Sequence, residues 1–212
     1  MKLYTYFRSS AAYRARIALN YKGLAYEQIS KHLRNGEHRK ADYLALNAQG
    51  LIPALEDAGT TIPQTIAIME YLEETHPEPP LLPRSPVDRA MVRSMALLVA
   101  CDIHPLNNSR VLQYLRGPLG QDESAVNKWY AHWIAEGLGS LEKQAQRFSG
   151  DGKHLFGNSV TMADVCLVPQ MYNARRFNCD VTPYPLLCAI DAHLRTLPAF
   201  ADAAPEKQPD AE

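Results

Sequence analysis

Tyr4-Thr5-Tyr6-Phe7-Arg8-Ser9-Ser10-Ala11-Ala12-Tyr13-Arg14-Ala15-Arg16-Ile17-Ala18-Leu19 changes its hydrophobic period partway along. Met1 to Phe7 is short and rich in aromatics, which is a strand signal. Ser9 and Ser10 are residue types that cap helix N-termini. Ala11, Ala15, Ala18 and Leu19 then recur at helical spacing and give one apolar face. A strand therefore hands over to a helix within a few residues, beside hydroxyls and the cations Arg8 and Arg14. Such a junction suits an anion, because the first backbone N–H groups are unpaired and the macrodipole adds partial positive charge. A thiolate is one anion stabilised in this way. Two readings stay open on these residues alone: Ser9 or Ser10 only caps the helix, or it also serves a bound anion.

Downstream, Lys22-Gly23 stops the first helix, and Ala25 to Ile29 is a second strand. Asn35-Gly36 is a turn and Glu37 to Leu46 a short helix closed by Asn47. Leu51 to Glu56 and Thr60 to Ile62 read as a hairpin joined by Asp57-Ala58-Gly59. Thr65 is expected to cap a helix with Ile66, Met69, Tyr71 and Leu72 on its apolar face, stopped by Pro77. Glu78-Pro79-Pro80-Leu81-Leu82-Pro83-Arg84-Ser85-Pro86 is too proline-rich for a helix or a central strand and marks a linker. Beyond it every pattern is helical: Val87 to Arg116 with a break at Pro105, Asp122 to Phe148, a helix opened by Thr161-Met162-Ala163-Asp164, Tyr184 to Leu194, and Pro198 to Ala203. Thr161 and Asp164 form a capping-box pattern. Glu206 to Glu212 is polar and expected to fray. The expected organisation is an α+β domain at 1–78, a linker at 79–87 and an all-helical domain at 88–212.

A chain of 212 residues with 46% hydrophobic and 21% charged residues has an ordinary globular composition and can bury a real core. A net charge of −1 argues against non-specific binding to nucleic acid or to an acidic membrane surface. No apolar run has the length to span a bilayer, and the N-terminus does not read as a signal peptide. Cys101, Cys166, Cys179 and Cys188 lie far apart, without C-x-x-C or Cys/His metal spacing, so no metal is expected. Free thiols point to a reducing compartment, the cytoplasm.

Arg8-Ser9-Ser10 followed by Tyr13-Arg14-Ala15-Arg16-Ile17-Ala18-Leu19 resembles the opening of the zeta-class glutathione transferases, which include maleylacetoacetate and maleylpyruvate isomerases. Gln64-Thr65, Tyr71-Leu72-Glu73-Glu74, Leu81-Leu82-Pro83, Thr161-Met162-Ala163-Asp164, Ala174-Arg175-Arg176-Phe177 and Thr182-Pro183-Tyr184-Pro185 extend the likeness along nearly the whole chain. The family's usual Ser-Ser-Cys-Ser is Ser9-Ser10-Ala11-Ala12 here, which excludes a cysteine-dependent chemistry at that position.

The resemblance implies a thioredoxin-like β-α-β-α-β-β-α domain followed by a helical domain, a homodimer, and glutathione as cofactor. It implies that Ser9, supported by Ser10, holds the glutathione thiolate. Gln64 and Thr65 take the γ-glutamyl carboxylate, and Ile52, before a cis Pro53, presents its backbone to the cysteinyl unit. His38 stands where a glutamine contacts the glycyl end, and it reads equally as a solvated surface histidine. His104 and Asn108 face glutathione across a cleft, while Arg8, Arg110 and Arg176 hold the carboxylates of a dicarboxylate substrate. The implied reaction is glutathione-dependent cis–trans isomerisation of a maleyl keto acid formed in aromatic catabolism. A transferase that conjugates or dehalogenates small α-halo acids, or a non-catalytic binding module on the same fold, are the alternatives.

Overall fold

Strand β1 (Lys2–Thr5) lies inside a four-stranded mixed sheet in the computed structural model, which describes residues 1–212. β2 (Glu27–Ser30) runs parallel to it on one side; β3 (Ala54–Asp57) runs antiparallel on the other, and β4 (Thr60–Pro63) closes the edge, giving the order β2-β1-β3-β4. Leu3 stands opposite Gln28 in one neighbour and Leu55 in the other. A parallel pair needs a crossover, and α1 (Ser10–Tyr21) supplies it. A 3₁₀ turn (Glu37–Arg39) and α2 (Ala41–Leu46) connect β2 to β3, and α3 (Thr65–Thr75) follows β4. This is the expected β-α-β-α-β-β-α order of a thioredoxin-like fold.

α1 is buried from Ala12 to Leu19 rather than along one stripe, and that span includes Arg14 and Arg16. Arg16 is fully buried and makes no salt bridge. Its guanidinium donates to the carbonyls of Phe7 (3.0 Å), Tyr6 (3.4 Å) and Ala203 (3.1 Å) and to Thr5 Oγ1 (3.0 Å). Burial pulls its pKa down to about 10. Lys22, just past α1, meets Glu73 of α3 at 2.9 Å, and its Nζ also donates to the carbonyls of His76 and Pro79. Glu73 accepts from the Leu81 N–H at 2.8 Å. One buried ion pair thus ties α1, the end of α3 and the proline-rich stretch together; such a pair resists loss of either partner because the other is left buried and charged.

Three local expectations change. Gln64, not Thr65, occupies the N-cap position of α3, with φ +70°, and Thr65 is the first helical residue. The buried face of α3 is Thr65, Ile68, Met69, Leu72 and Glu73, while Tyr71 reaches out to Asp57. The polar C-terminal segment does not fray: Asp210 accepts from the Phe7 N–H (3.1 Å) and from Ser30 Oγ (2.8 Å), and Gln208 is buried.

The chain divides into two compact units, residues 1–81 with 196–212, and residues 82–195. The segment 196–212, expected among the helical residues, packs with the sheet unit. There α9 (Pro198–Ala201) lies along α1, and Tyr13 Oη donates to the Phe200 carbonyl at 3.2 Å. The second unit holds α4 (Pro86–Leu97), α5 (Ser109–Arg116), α6 (Glu123–Phe148), α7 (Met162–Arg176) and α8 (Pro185–Leu194). The interruption of Val87–Arg116 begins before Pro105: α4 runs into a π-helical stretch, Leu98–Ile103, and then into turns. Gly137 of α6 explains the packing there. A Cβ at Gly137 would lie 2.2 Å from Ile103 Cγ1, so only glycine lets Ile103 seat against α6. No helix is long and apolar enough to cross a membrane.

Candidate active site

The turn from β1 to α1 is held by its own peptide groups. Ser9 N–H donates to the Tyr6 carbonyl (3.0 Å), and the Ser9 carbonyl accepts the first helical bond, from Tyr13 N–H (2.8 Å). Ser9 has extended backbone angles, and its Oγ accepts from Ala12 N–H at 3.2 Å, so it is the N-cap of α1. A hydroxyl that accepts in this way keeps its proton for donation elsewhere. Ser10 is buried within the first turn, whereas Ser9 is half-exposed. No acidic residue sits in that turn to offset the macrodipole. Ala12 is fully buried in one apolar cluster with Tyr4, Tyr43 and Ile52.

Ser9→Ala is therefore expected to lower stability by about 1 kcal/mol through loss of the cap. If Ser9 also donates to a bound thiolate, as the resemblance implies, the same change raises that thiol's pKa and moves the pH profile of turnover to higher pH, and an unchanged profile in a folded variant transfers the role to Ser10.

A second helix N-terminus stands beside the first. Thr65 Oγ1 donates to the Ala11 carbonyl at 3.2 Å, which joins α3 to the first turn of α1. The hydroxyl expected to serve a carboxylate thus has its proton engaged, and the free donors left at α3 are backbone N–H groups. Gln64, exposed and at positive φ, projects its side chain from this terminus; a non-glycine residue in that region stores about 1–3 kcal/mol of strain. Its Nε2 donates to Gln49 Oε1 at 2.7 Å. Gln49 was not singled out in the sequence, and no local signal marks it: its partner is fifteen positions away and sits on a different element.

The loop carrying Gln49 is braced from below. Tyr43 Oη (2.6 Å) and Asn47 Nδ2 (2.8 Å) both donate to the Leu51 carbonyl, and the Ile52–Pro53 bond is cis. Ile52 is buried and stands just before β3, outside the strand ladder. Gly50, at φ +58°, would place a Cβ 2.9 Å from the His38 carbonyl, so the 3₁₀ turn bearing His38 abuts this loop. His38 Nδ1 is buried and has no hydrogen-bond partner. Burial and the neighbouring Arg39 lower its pKa, which favours a neutral imidazole that donates rather than a cation. Ser9, Ser10, Ile52, Gln64, Thr65 and His38 therefore belong to one connected framework. The two adjacent helix N-termini suit anionic groups of a ligand, and His38 Nδ1 is a polar atom left without a partner beside them.

Arg8 lies at the start of this framework, its guanidinium 4.7 Å from the Phe7 ring centroid and 3.4 Å from Glu212 Oε2. Glu212 also pairs with His32.

The remaining residues lie in the second unit. His104 follows the π-helical stretch, its N–H donating to the Val99 carbonyl, and Asn108 Oδ1 caps α5 by accepting from Arg110 N–H at 3.1 Å. Asn108 is thereby a cap residue whatever else it contacts. Arg110 is exposed at the start of α5. The turn itself is pinned from α6: Trp129 Nε1 donates to the Leu106 carbonyl, and Asn107 Nδ2 to the Tyr130 carbonyl. Arg176 closes α7 with its guanidinium over the Phe177 ring (4.8 Å), and that ring stacks on Tyr130 at 3.9 Å. Tyr130 thus links the His104–Arg110 stretch to Arg176 within this unit. Arg175 has a different role, pairing with buried Asp191 at 2.6 Å.

Comparison with known proteins agrees along the whole chain. The profile of the glutathione S-transferase N-terminal domain matches residues 1–74. A probable maleylacetoacetate isomerase of Vibrio cholerae is 50% identical over 211 residues, covering 99% of this chain and 97% of that one. The solved holo structure of a maleylpyruvate isomerase, described as a bacterial zeta-class glutathione S-transferase, superposes with a TM-score of 0.97 at 47% identity and covers all of both chains. A maleylacetoacetate isomerase of Methylobacterium extorquens, solved with bound malonate and glutathione, gives a TM-score of 0.95 at 40% identity, again over the whole of both chains.

Proposed function

The chain belongs to the zeta-class glutathione transferases, the family of the maleylacetoacetate and maleylpyruvate isomerases, and from that membership we propose that it isomerises a maleyl keto acid from cis to trans with glutathione as a recycled cofactor. The observation that carries the reading is full-length likeness to such isomerases at 40–50% identity. Bound glutathione supplies a thiolate, the nucleophile whose reversible addition lets the double bond turn.

This chain's residues do the rest. Ser9 donates its free hydroxyl proton to the sulfur, and Ser10 and the α1 N-terminus add to the positive potential there. Gln64 and the Thr65 N–H receive the γ-glutamyl carboxylate, the Ile52 backbone meets the cysteinyl unit, and His38 donates to the glycyl end. His104 and Asn108 add contacts to glutathione. Arg8, Arg110 and Arg176 hold the carboxylates of the dicarboxylate substrate and stabilise the negative charge that develops next to the keto group.

The test is turnover of maleylpyruvate and of maleylacetoacetate by the purified protein with glutathione present; conversion of neither overturns the reading. Arg176→Ala in the same assay is expected to raise KM for the maleyl acid about ten- to a hundredfold, the equivalent of a lost charge-assisted hydrogen bond. KM for glutathione should hardly move. Arg176→Lys recovers only part, since a point charge cannot make a bidentate pair. Equal losses for both ligands would assign Arg176 to the cofactor.

A C2-symmetric homodimer and a cytoplasmic location complete the proposal. Val87, Leu97 and Tyr114 are exposed apolar side chains on α4 and α5, and four free cysteines fit a reducing compartment. Light scattering should give twice the 23.7 kDa chain mass; a single-chain mass at micromolar concentration counts against the dimer.

A further inference from the structure

The Tyr6–Phe7 peptide unit is grasped at both ends. Its carbonyl accepts from Ser9 N–H at 3.0 Å, and its N–H donates to Asp210 Oδ2 at 3.1 Å. A peptide unit is planar, so its two ends turn together. The direction in which the Tyr6 carbonyl points at Ser9 is therefore tied to the direction in which the Phe7 N–H points at Asp210. Arg16 adds a second constraint from below, through the Tyr6 and Phe7 carbonyls, but it does not touch the N–H. Asp210 alone holds that end. A carboxylate acceptor also polarises the peptide and strengthens the bond made by the carbonyl on its other side.

Asp210 is itself well placed for this. The same Oδ2 accepts from Ser30 Oγ, at the end of β2, at 2.8 Å. Two residues earlier, Gln208 is buried and anchors the segment: its Nε2 donates to the carbonyls of Asp202 (2.9 Å) and Ala204 (2.8 Å), and its Oε1 accepts from Gln28 Nε2. A residue about two hundred positions from Ser9 in sequence thus reaches the turn that carries it.

We propose that Asp210 is a positioning residue for Ser9, acting through the Tyr6–Phe7 peptide to set the angle at which the Ser9 hydroxyl meets the glutathione thiolate. The proposal rests on Ser9 holding that thiolate. With Asp210 removed, the peptide tips, Ser9 follows, and the donor is misaligned; the carboxylate-binding residues on α3 and the His38 turn stay where they are.

Titration of the ultraviolet thiolate absorbance of enzyme-bound glutathione tests this without any turnover. Asp210→Ala should raise the apparent pKa of the bound thiol by roughly half a unit, about a threefold loss of thiolate at a pH below it. The affinity for S-methylglutathione, which has no thiol to orient, should stay within about twofold of wild type. Asp210→Asn keeps an oxygen for the Phe7 N–H and should restore most of the wild-type value. Should Asp210→Ala fail to fold, Ser30→Ala loosens Asp210 without removing it and should shift the thiol in the same direction by less. A folded Asp210→Ala or Ser30→Ala with wild-type thiol titration overturns the proposal, as does an equal loss of affinity for glutathione and its S-methyl derivative. Wild-type protein that forms no thiolate overturns the role of Ser9 and the proposal with it; wild-type thiolate left untouched by the variants overturns the proposal alone.

Discussion

Freed of all small thiols, the protein should isomerise neither maleyl acid, and glutathione far below the substrate concentration should restore the full rate. The argument is one of nucleophiles. Residues 9–12 are Ser9-Ser10-Ala11-Ala12, so the N-terminus of α1 carries no thiol of its own. What α1 does carry is a hydroxyl, a weak nucleophile without an adjacent base. In the role proposed for it, Ser9 stabilises a charge brought to it, and without the thiol there is no charge to stabilise. Total glutathione measured before and after many turnovers separates the two transferase chemistries: an isomerase leaves it unchanged, and a conjugating enzyme consumes one molecule per cycle. Full activity in thiol-free buffer would remove Ser9 from the reaction.

Asp164→Ala should severely damage the fold although it lies outside the apolar core. Its carboxylate is fully buried and accepts from Leu155 N–H (2.7 Å), Thr161 N–H (2.7 Å) and Thr161 Oγ1 (2.8 Å). Alanine leaves all three donors without an acceptor, at about 1–3 kcal/mol each. A loss of about 3 kcal/mol or more follows, read as a fall in Tm of roughly 6–12 °C. Burial raises the Asp164 pKa to about 6 against an ordinary value of 3.8. The folded chain therefore holds this proton more tightly than the unfolded one, and Asp164's contribution to stability falls as pH rises from about 4 to about 6. Asp164→Asn cannot titrate. Its deficit relative to wild type should be larger at pH 4 than at pH 7, and a deficit that grows with pH would contradict this electrostatic account.

The Asp164 cap was legible in the sequence because Thr161 lies three positions away, and the same holds for the Ser9 cap, whereas the bond from Leu155, nine positions back, was not, nor was Ser85, read only as part of the linker yet the cap of α4. Period and punctuation also placed the strands and most helices. What stayed hidden depends on distant partners. Arg16 reads as one more helical cation, and only the fold shows it buried under Thr5–Phe7 and Ala203. Lys22 reads as a C-terminal charge complementing the helix dipole, yet it is buried against Glu73, 51 positions on. Gln64 displaced Thr65 from the cap because tertiary contact with Ala11 claims the threonine hydroxyl, which local preference cannot foresee. The π-helical stretch before His104 depends on Gly137, in another helix. Glu206–Glu212 looked free because its composition is polar, but the donors it meets are on β1, β2 and their loops.

The return of residues 196–212 to the sheet unit also sets an order of events in synthesis. Residues 82–195 leave the ribosome before the last part of the first unit is made. At roughly 5–20 residues per second, the delay is about 6–23 seconds. Through that interval the nascent sheet unit lacks α9 along α1, and the Arg16 guanidinium lacks the Ala203 carbonyl. The helical unit therefore has time to collapse first, and the sheet unit is the last to be completed although it is the first to be translated.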